Sequence, residues 1–307
     1  MSRLSRRDFL TALGGTALAG GALIGAGPLA GLASGSTGGS ATRAGPGSAR
    51  FGFGNRRFEG VGVQLYTVRS MMSQDVPSTL AAIAAIGYTE VEFAGLFNQS
   101  PRSMRMLLDD NGLTAPSTHL GLDELTGDRL HWNVAAAEML GHEYLVCPYL
   151  GGDFRSADGF RMAAELLNLA GDVATKEGLK IGYHNHDFEF ETLGNGETGF
   201  DILLAETEPD LVTMQMDLFW TVNAGRDPIA LMRQHPGRFS SVHVKDRTAD
   251  GDMVAVGAGV IDFATILRAA SEQGVQHAFV EHDQPGDALA SVTTSFGAVS
   301  PIVNGLR

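Results

Sequence analysis

The chain has 307 residues, 22 Lys plus Arg against 35 Asp plus Glu, a formal net charge of −13 and 44% hydrophobic residues. An apolar fraction of this size excludes a wholly disordered chain, and a single cysteine, Cys147, excludes an internal disulfide framework and any zinc or iron–sulfur centre built from thiolates. The acidic balance argues against a nucleic-acid partner, because gripping a phosphate backbone takes clustered Lys and Arg.

The first element is a targeting segment. Ser5-Arg6-Arg7-Asp8-Phe9-Leu10 is followed by an apolar Gly/Ala-rich run that ends in Gly31-Leu32-Ala33. A charged start, an apolar middle and a small-residue cleavage site define an export signal, and the paired arginines fit the twin-arginine type. Residues 1–33 are therefore expected to direct the chain to the periplasm or the extracellular space, with an uncut membrane anchor as the alternative. Removing them takes away Arg3, Arg6, Arg7 and Asp8, a net +2, so the remaining chain stands at −13 − 2 = −15. Residues 34–57 are rich in Gly, Ser and Arg without apolar periodicity and predict a flexible linker. No later apolar run is long enough to span a bilayer, so no stable membrane insertion is expected after cleavage.

From residue 58 to 307 short apolar runs alternate with longer amphipathic ones. The short runs are Val61–Tyr66, Thr89–Phe93, Ala115–His119, Glu143–Pro148, Lys180–His184, Val212–Asp217, Ser241–Lys245 and Ala278–Glu281, eight candidate strands. Helix signals lie between them. Asp75 caps the first helix ahead of Pro77 and Gly87 ends it; Ser100-Pro101 opens the second and Asn111-Gly112 closes it. A long helix fits Ser156 to Gly178, Asp262 opens another that Gly274 closes, and Asp287 caps the last. Eight strand–helix units in about 250 residues predict a single-domain α/β fold, the (β/α)8 TIM barrel. An open doubly wound sheet is the lesser alternative, since Thr67-Val68-Arg69-Ser70 after the first strand carries no Gly-rich phosphate loop.

In a parallel barrel alternate strand residues face the axis, and chemistry gathers where the strands end. The inward positions near those ends hold Gln64, Glu92, His119, His184, His186, Asp217, His243, Lys245 and Glu281. Buried carboxylates are costly unless paired or metal-bound. Imidazoles and carboxylates on four consecutive strands therefore point to a shared divalent cation. Without thiolate the donor set suits Mn²⁺, Zn²⁺, Co²⁺ or Fe²⁺ better than Ca²⁺.

The motifs Val61-Gly62-Val63-Gln64-Leu65-Tyr66, Val91-Glu92-Phe93, Gly182-Tyr183-His184-Asn185-His186-Asp187-Phe188-Glu189-Phe190, Met216-Asp217-Leu218-Phe219-Trp220, His243-Val244-Lys245-Asp246 and Val280-Glu281-His282-Asp283 resemble the xylose isomerase-like sugar phosphate isomerase/epimerase family. The likeness is to its inosose dehydratase-like, keto-sugar-processing branch and spans about residues 58–300. It implies one divalent metal, Mn²⁺ foremost, held by His184, Asp217, His243 and Glu281. Members of that branch often work with oxidoreductases that make 3-keto sugars, which implies the same pairing here. Keto-sugar epimerases of the family carry a carboxylate at the fifth-strand position, where this chain has His184. That departure leaves Glu281 as the one carboxylate for proton transfer and raises isomerisation or β-elimination over two-base epimerisation.

The expected activity is proton abstraction next to the carbonyl of a keto sugar through an enediolate. Glu281 is the expected base, with His186 or His119 returning a proton or protonating a leaving group. Gln64, Glu92, Trp220, Lys245 and Arg247 are the expected substrate contacts, Trp220 as an apolar wall. Lys245 could instead form a salt bridge to Asp246 or Glu281. With no Gly-rich phosphate loop and an exported chain, a neutral keto sugar or glycoside is favoured. A lyase or dehydratase acting on a 3-keto sugar or glycoside is the alternative enzyme, and an exported, non-catalytic sugar-binding barrel the alternative outside catalysis. A homo-oligomer is possible.

Overall fold

The computed structural model describes residues 58–194 and 196–307. The expected signal (1–33) and linker (34–57) lie outside the described residues. Eight parallel strands close into a barrel: β1 (Gly62–Gln64), β2 (Glu90–Phe93), β3 (Thr114–His119), β4 (Tyr144–Cys147), β5 (Lys180–His184), β6 (Val212–Asp217), β7 (Phe239–Val244) and β8 (His277–Val280). Each strand pairs with its sequence neighbour, and β8 returns to β1 with Gly62 opposite Phe279. The (β/α)8 TIM barrel expected from the alternation is therefore the fold.

Ten helices stand among the described residues: α1 (Arg69–Gln74), α2 (Val76–Ile86), α3 (Pro101–Asp110), α4 (Gly127–Leu140), α5 (Ala157–Ala174), α6 (Gly199–Glu206), α7 (Leu218–Asn223), α8 (Pro228–Gln234), α9 (Phe263–Glu272) and α10 (Ala288–Asn304). The polar residues read as start signals act as caps. Asp75, Ser100, Ser156, Asp262 and Asp287 each accept a hydrogen bond from the backbone N–H three residues on, satisfying donors that a helix leaves unpaired. Gly87 ends α2 at φ +118°, a left-handed conformation that glycine adopts without Cβ strain. Among the described residues no helix is long and apolar enough to cross a membrane.

The outward strand residues Val63, Val91, Ile181, Met214, Met216, Val242 and Val244 are fully buried and form one core with the helices. Inside the barrel large and small residues alternate between neighbours. A Cβ on Gly62 would collide with the Phe279 ring, and one on Gly182 would come within 2.8 Å of Val146.

Three features refine the sequence reading. The first strand is shorter than Val61–Tyr66, because Tyr66 N turns back to donate to Gln64 Oε1. Helix α7 starts directly at the end of β6 without an intervening turn, since Asp217 both ends the strand and caps the helix. After β7 the chain forms a two-stranded antiparallel ribbon, Asp246–Arg247 against Met253–Val254.

Candidate metal centre

Alternation and register bring the ends of β5 to β8 together. Asp217 lies opposite His243 across the β6–β7 pair, and His184 lies opposite Gln215 across β5–β6. Glu281 follows β8 directly. Among the described residues His184, Asp217, His243 and Glu281 offer ligand atoms that all lie within 4.8 Å of one another, and all four are buried. His119 forms a second, overlapping group of the same kind with His184 and His243. His184 Nε2 is 3.4 Å from Asp217 Oδ2, and His243 Nδ1 is 2.5 Å from Glu281 Oε2. Asp217 divides its work: Oδ1 accepts from Trp220 N to cap α7, and Oδ2 faces the cluster.

Lys245 sits at the centre of the charges. Its Nζ is 2.9 Å from Asp217 Oδ2, 2.8 Å from Glu281 Oε2 and 2.9 Å from Asp283 Oδ1. Of the two salt bridges considered from sequence, the one to Glu281 forms. Asp246 instead accepts from the backbone N–H groups of Arg247, Gly257, Gly259 and Ile261. Burial works against the Lys245 charge, but the three carboxylates override it and hold its pKa well above the usual lysine range. Burial works against the Glu281 charge too, yet Lys245 and His243 keep this carboxyl ionised far below the usual range. At Asp217 burial prevails over Lys245 and raises the carboxyl to about 6. Burial, with its charged neighbours, keeps His184 neutral, and His186 falls to about 3 for the same reason. His243 lies between Glu281 and Glu92; burial opposes its charge, but the two carboxylates raise it to about 10.

A polar layer lies below this cluster. Glu92, fully buried, accepts from Ser117 Oγ (2.5 Å) and Gln215 Nε2 (2.6 Å) on Oε1, and from Gln64 Nε2 (2.8 Å) and His243 Nε2 (2.5 Å) on Oε2. His119 Nε2 meets Gln215 Oε1 at 2.8 Å. Gln64 and Glu92, expected to contact substrate, lie in this layer at 0% exposure, and the polar atoms of both are engaged within the barrel. Above the cluster stand aromatic groups. The His186 ring lies 5.6 Å from Trp220, 6.0 Å from Phe188 and 5.4 Å from Tyr149, while His186 Nδ1 and Trp220 Nε1 are buried without a hydrogen-bond partner. Arg247 is not brought to the cluster; its Nε turns to Thr248 O beside the ribbon.

Sequence reasoning missed Gln215, Ser117, Asp283 and Glu189. The first two occupy inward positions by the same alternation that revealed Glu92. Asp283 follows Glu281 by two residues in a motif already singled out. Glu189 also lies in a quoted motif, but an acidic residue in a loop ordinarily faces water; here it is buried, accepting from Tyr183 Oη (2.6 Å) and His186 N (2.8 Å).

The donor set fits a divalent cation. It offers two imidazoles and two carboxylates, and the buried Asp217 Oδ2 accepts no directed hydrogen bond although Lys245 stands beside it. The family model described as xylose isomerase-like TIM barrel matches residues 80–293, and the chain belongs to that family. It is 26% identical over 208 residues to the inosose dehydratase of Geobacillus kaustophilus (strain HTA426), a match covering 58% of this chain and 67% of that one. Matches to further inosose dehydratases span about half of their length. A sugar phosphate isomerase/epimerase from Parabacteroides distasonis superposes with a TM-score of 0.69 at 25% identity, covering 79% of this chain and 99% of that one. The IOLI protein with a binding zinc atom shares the fold, with a TM-score of 0.63 at 15% identity over 81% of this chain and 99% of that one. The relatives are enzymes, dehydratases and sugar isomerase/epimerases among them.

Proposed function

We propose that the chain is a divalent-cation-dependent enzyme of the sugar isomerase/epimerase type, removing a proton next to the carbonyl of a keto sugar. The observation that carries this reading is the convergence of His184, Asp217, His243 and Glu281 within 4.8 Å at the strand ends. These four side chains hold the cation. Mn²⁺ is favoured, while Zn²⁺, Co²⁺ and Fe²⁺ suit the same donors. A bound divalent cation supplies Lewis acidity to carbonyl and hydroxyl oxygens, which stabilises enediolate charge.

The chain's own groups do the rest. Glu281, kept ionised by Lys245 and His243, accepts the proton. Lys245, still tied to Asp283, presents N–H donors to a substrate oxygen. His186 and His119 stay neutral under burial. Each therefore offers one N–H and one lone pair and moves a proton by exchanging them. Trp220 gives a sugar ring an apolar wall. Arg247, on the ribbon, is a further hydroxyl contact in this reading.

β-Elimination is the second reading. It is supported by the similarity to inosose dehydratases and by His184 standing where the resemblance expects a carboxylate. Turnover of neutral keto sugars in D₂O with Mn²⁺ distinguishes the two. Deuterium next to the carbonyl with the mass otherwise kept means isomerisation, and loss of water or an aglycone means elimination. No turnover of any keto sugar, or turnover unchanged in Asp217→Ala and His243→Ala, would leave a sugar-binding barrel. We further propose twin-arginine export of this folded domain, supported by Arg6-Arg7. Replacing both with lysine is expected to retain the protein in the cytoplasm on fractionation. Pairing with a sugar oxidoreductase and homo-oligomerisation remain part of this proposal.

A further inference from the structure

Glu92 is sealed from solvent, and its two oxygens accept four hydrogen bonds from side chains. We propose that Glu92, directly on His243 and through the Gln215 amide on His184, is a positioning residue that fixes which ring nitrogen of each histidine faces the cation. This rests on the cation site put forward above.

The argument follows the donors. A carboxylate only accepts hydrogen bonds. The Gln215 end that lies 2.6 Å from Glu92 Oε1 must therefore be its NH₂, which also reaches Ser241 Oγ at 3.1 Å. Turning the amide over would set its carbonyl oxygen against an anion. Gln215 Oε1 is thus committed to the other side, where it meets His119 Nε2 at 2.8 Å and His184 Nδ1 at 3.0 Å. An acceptor placed there requires a proton on His184 Nδ1. That leaves the lone pair of His184 on Nε2, the nitrogen facing Asp217 Oδ2. Glu92 Oε2 acts on His243 in one step, by keeping the proton on Nε2. It accepts from Nε2–H at 2.5 Å, so Nδ1, which faces Glu281, is the nitrogen that gives up its proton when a cation binds.

The carboxylate cannot rotate away, because Ser117 and Gln64 each hold one of its oxygens. The strand register sets these partners, with Glu92 opposite Gln64 on one side and Ser117 on the other. One buried acid thereby orients two ligands on strands it does not adjoin. Outer partners of this kind, which hold a ligating imidazole by its other nitrogen, are typically worth 10–100-fold in metal affinity.

The test uses the full chain labelled with ¹⁵N-histidine and Zn²⁺ as the probe. Long-range ¹H–¹⁵N correlation without cation is expected to show His184 protonated on Nδ1. Added Zn²⁺ is expected to shift Nε2 of His184 and Nδ1 of His243. In Glu92→Gln, Zn²⁺ affinity measured against a chromophoric chelator is expected to fall roughly 10–100-fold, with His184 losing its single tautomer. Glu92→Asp, which keeps an acceptor-only head group, should recover part of the loss. Gln215→Met gives a second variant should Glu92→Gln not fold. There His184 becomes a mixture of tautomers while His243 keeps its Nε2 proton. Finding wild-type His184 protonated on Nε2, or an unchanged Zn²⁺ affinity in Glu92→Gln, overturns the proposal and leaves the cation site standing. A wild-type chain that binds no divalent cation overturns both.

Discussion

Lys245 draws on two carboxylates of the proposed cation site, Asp217 and Glu281. Replacing Lys245 with Met leaves three acids crowded without their ammonium. Removing one partner of a buried ion pair costs about 3–5 kcal/mol, so the variant is expected to lose about that much in urea unfolding without cation and much less with Mn²⁺ or Zn²⁺ present. Equal losses under both conditions would place Lys245 away from the ligand oxygens. Glu189 gives a prediction in pH. Burial raises its carboxyl from 4.5 to about 7, although Tyr183 and the His186 amide favour the ion. The folded chain therefore binds this proton more tightly than the unfolded chain does. The stabilisation is complete below about pH 4.5 and is lost as pH rises to about 7, a span of about 3 kcal/mol at most. Glu189→Gln should flatten that part of the curve of unfolding free energy against pH. At this scale the sequence reveals residues through alternation. His184, Asp217, His243 and Lys245 are visible because a polar side chain at an inward position has few bland explanations. Which of their neighbours enclose Glu92 is not visible, because inward position does not report depth along the axis.

Among the elements, the ribbon after β7 shows what the motif around His243 contains besides ligands. Asp246 gathers four backbone N–H groups from Arg247 to Ile261 and so ties the ribbon to the strand that carries His243 and Lys245. Asp246→Ala strands those donors, at about 1–3 kcal/mol for each one left buried. The expected outcome is a loss of about 3 kcal/mol in urea unfolding together with new proteolytic cleavage between residues 247 and 261. The helices with separate caps, α2, α3, α5, α9 and α10, are legible from Asp or Ser at one end and Gly or Asn beyond the other. Helix α7 is announced by its cap alone, because Asp217 is itself the last residue of a strand and no Gly or Pro separates the two. The ribbon strands, two residues each, are too short for any periodicity to declare them.

Over the whole molecule, eight alternating strand–helix runs favour a barrel, and the structure closes it. The closure depends on a detail the alternation does not supply. Gly62 gives way to the Phe279 ring at the seam. Gly62→Ala is expected to cost about 1–3 kcal/mol through overpacking, and Phe279→Leu in the same chain should recover much of it. A double-mutant cycle by thermal unfolding measures this coupling; strictly additive losses would mean that the two residues do not meet.

That seam also sets an order of events. The strand that completes the cylinder leaves the ribosome last among the eight, and Glu281 comes with it. Until then a nascent polypeptide can present His184, Asp217 and His243, one donor short of the full set. Under the proposed function, loading with the ion is coupled to circularisation of the sheet, because a chain arrested before residue 277 lacks both the closing strand and Glu281.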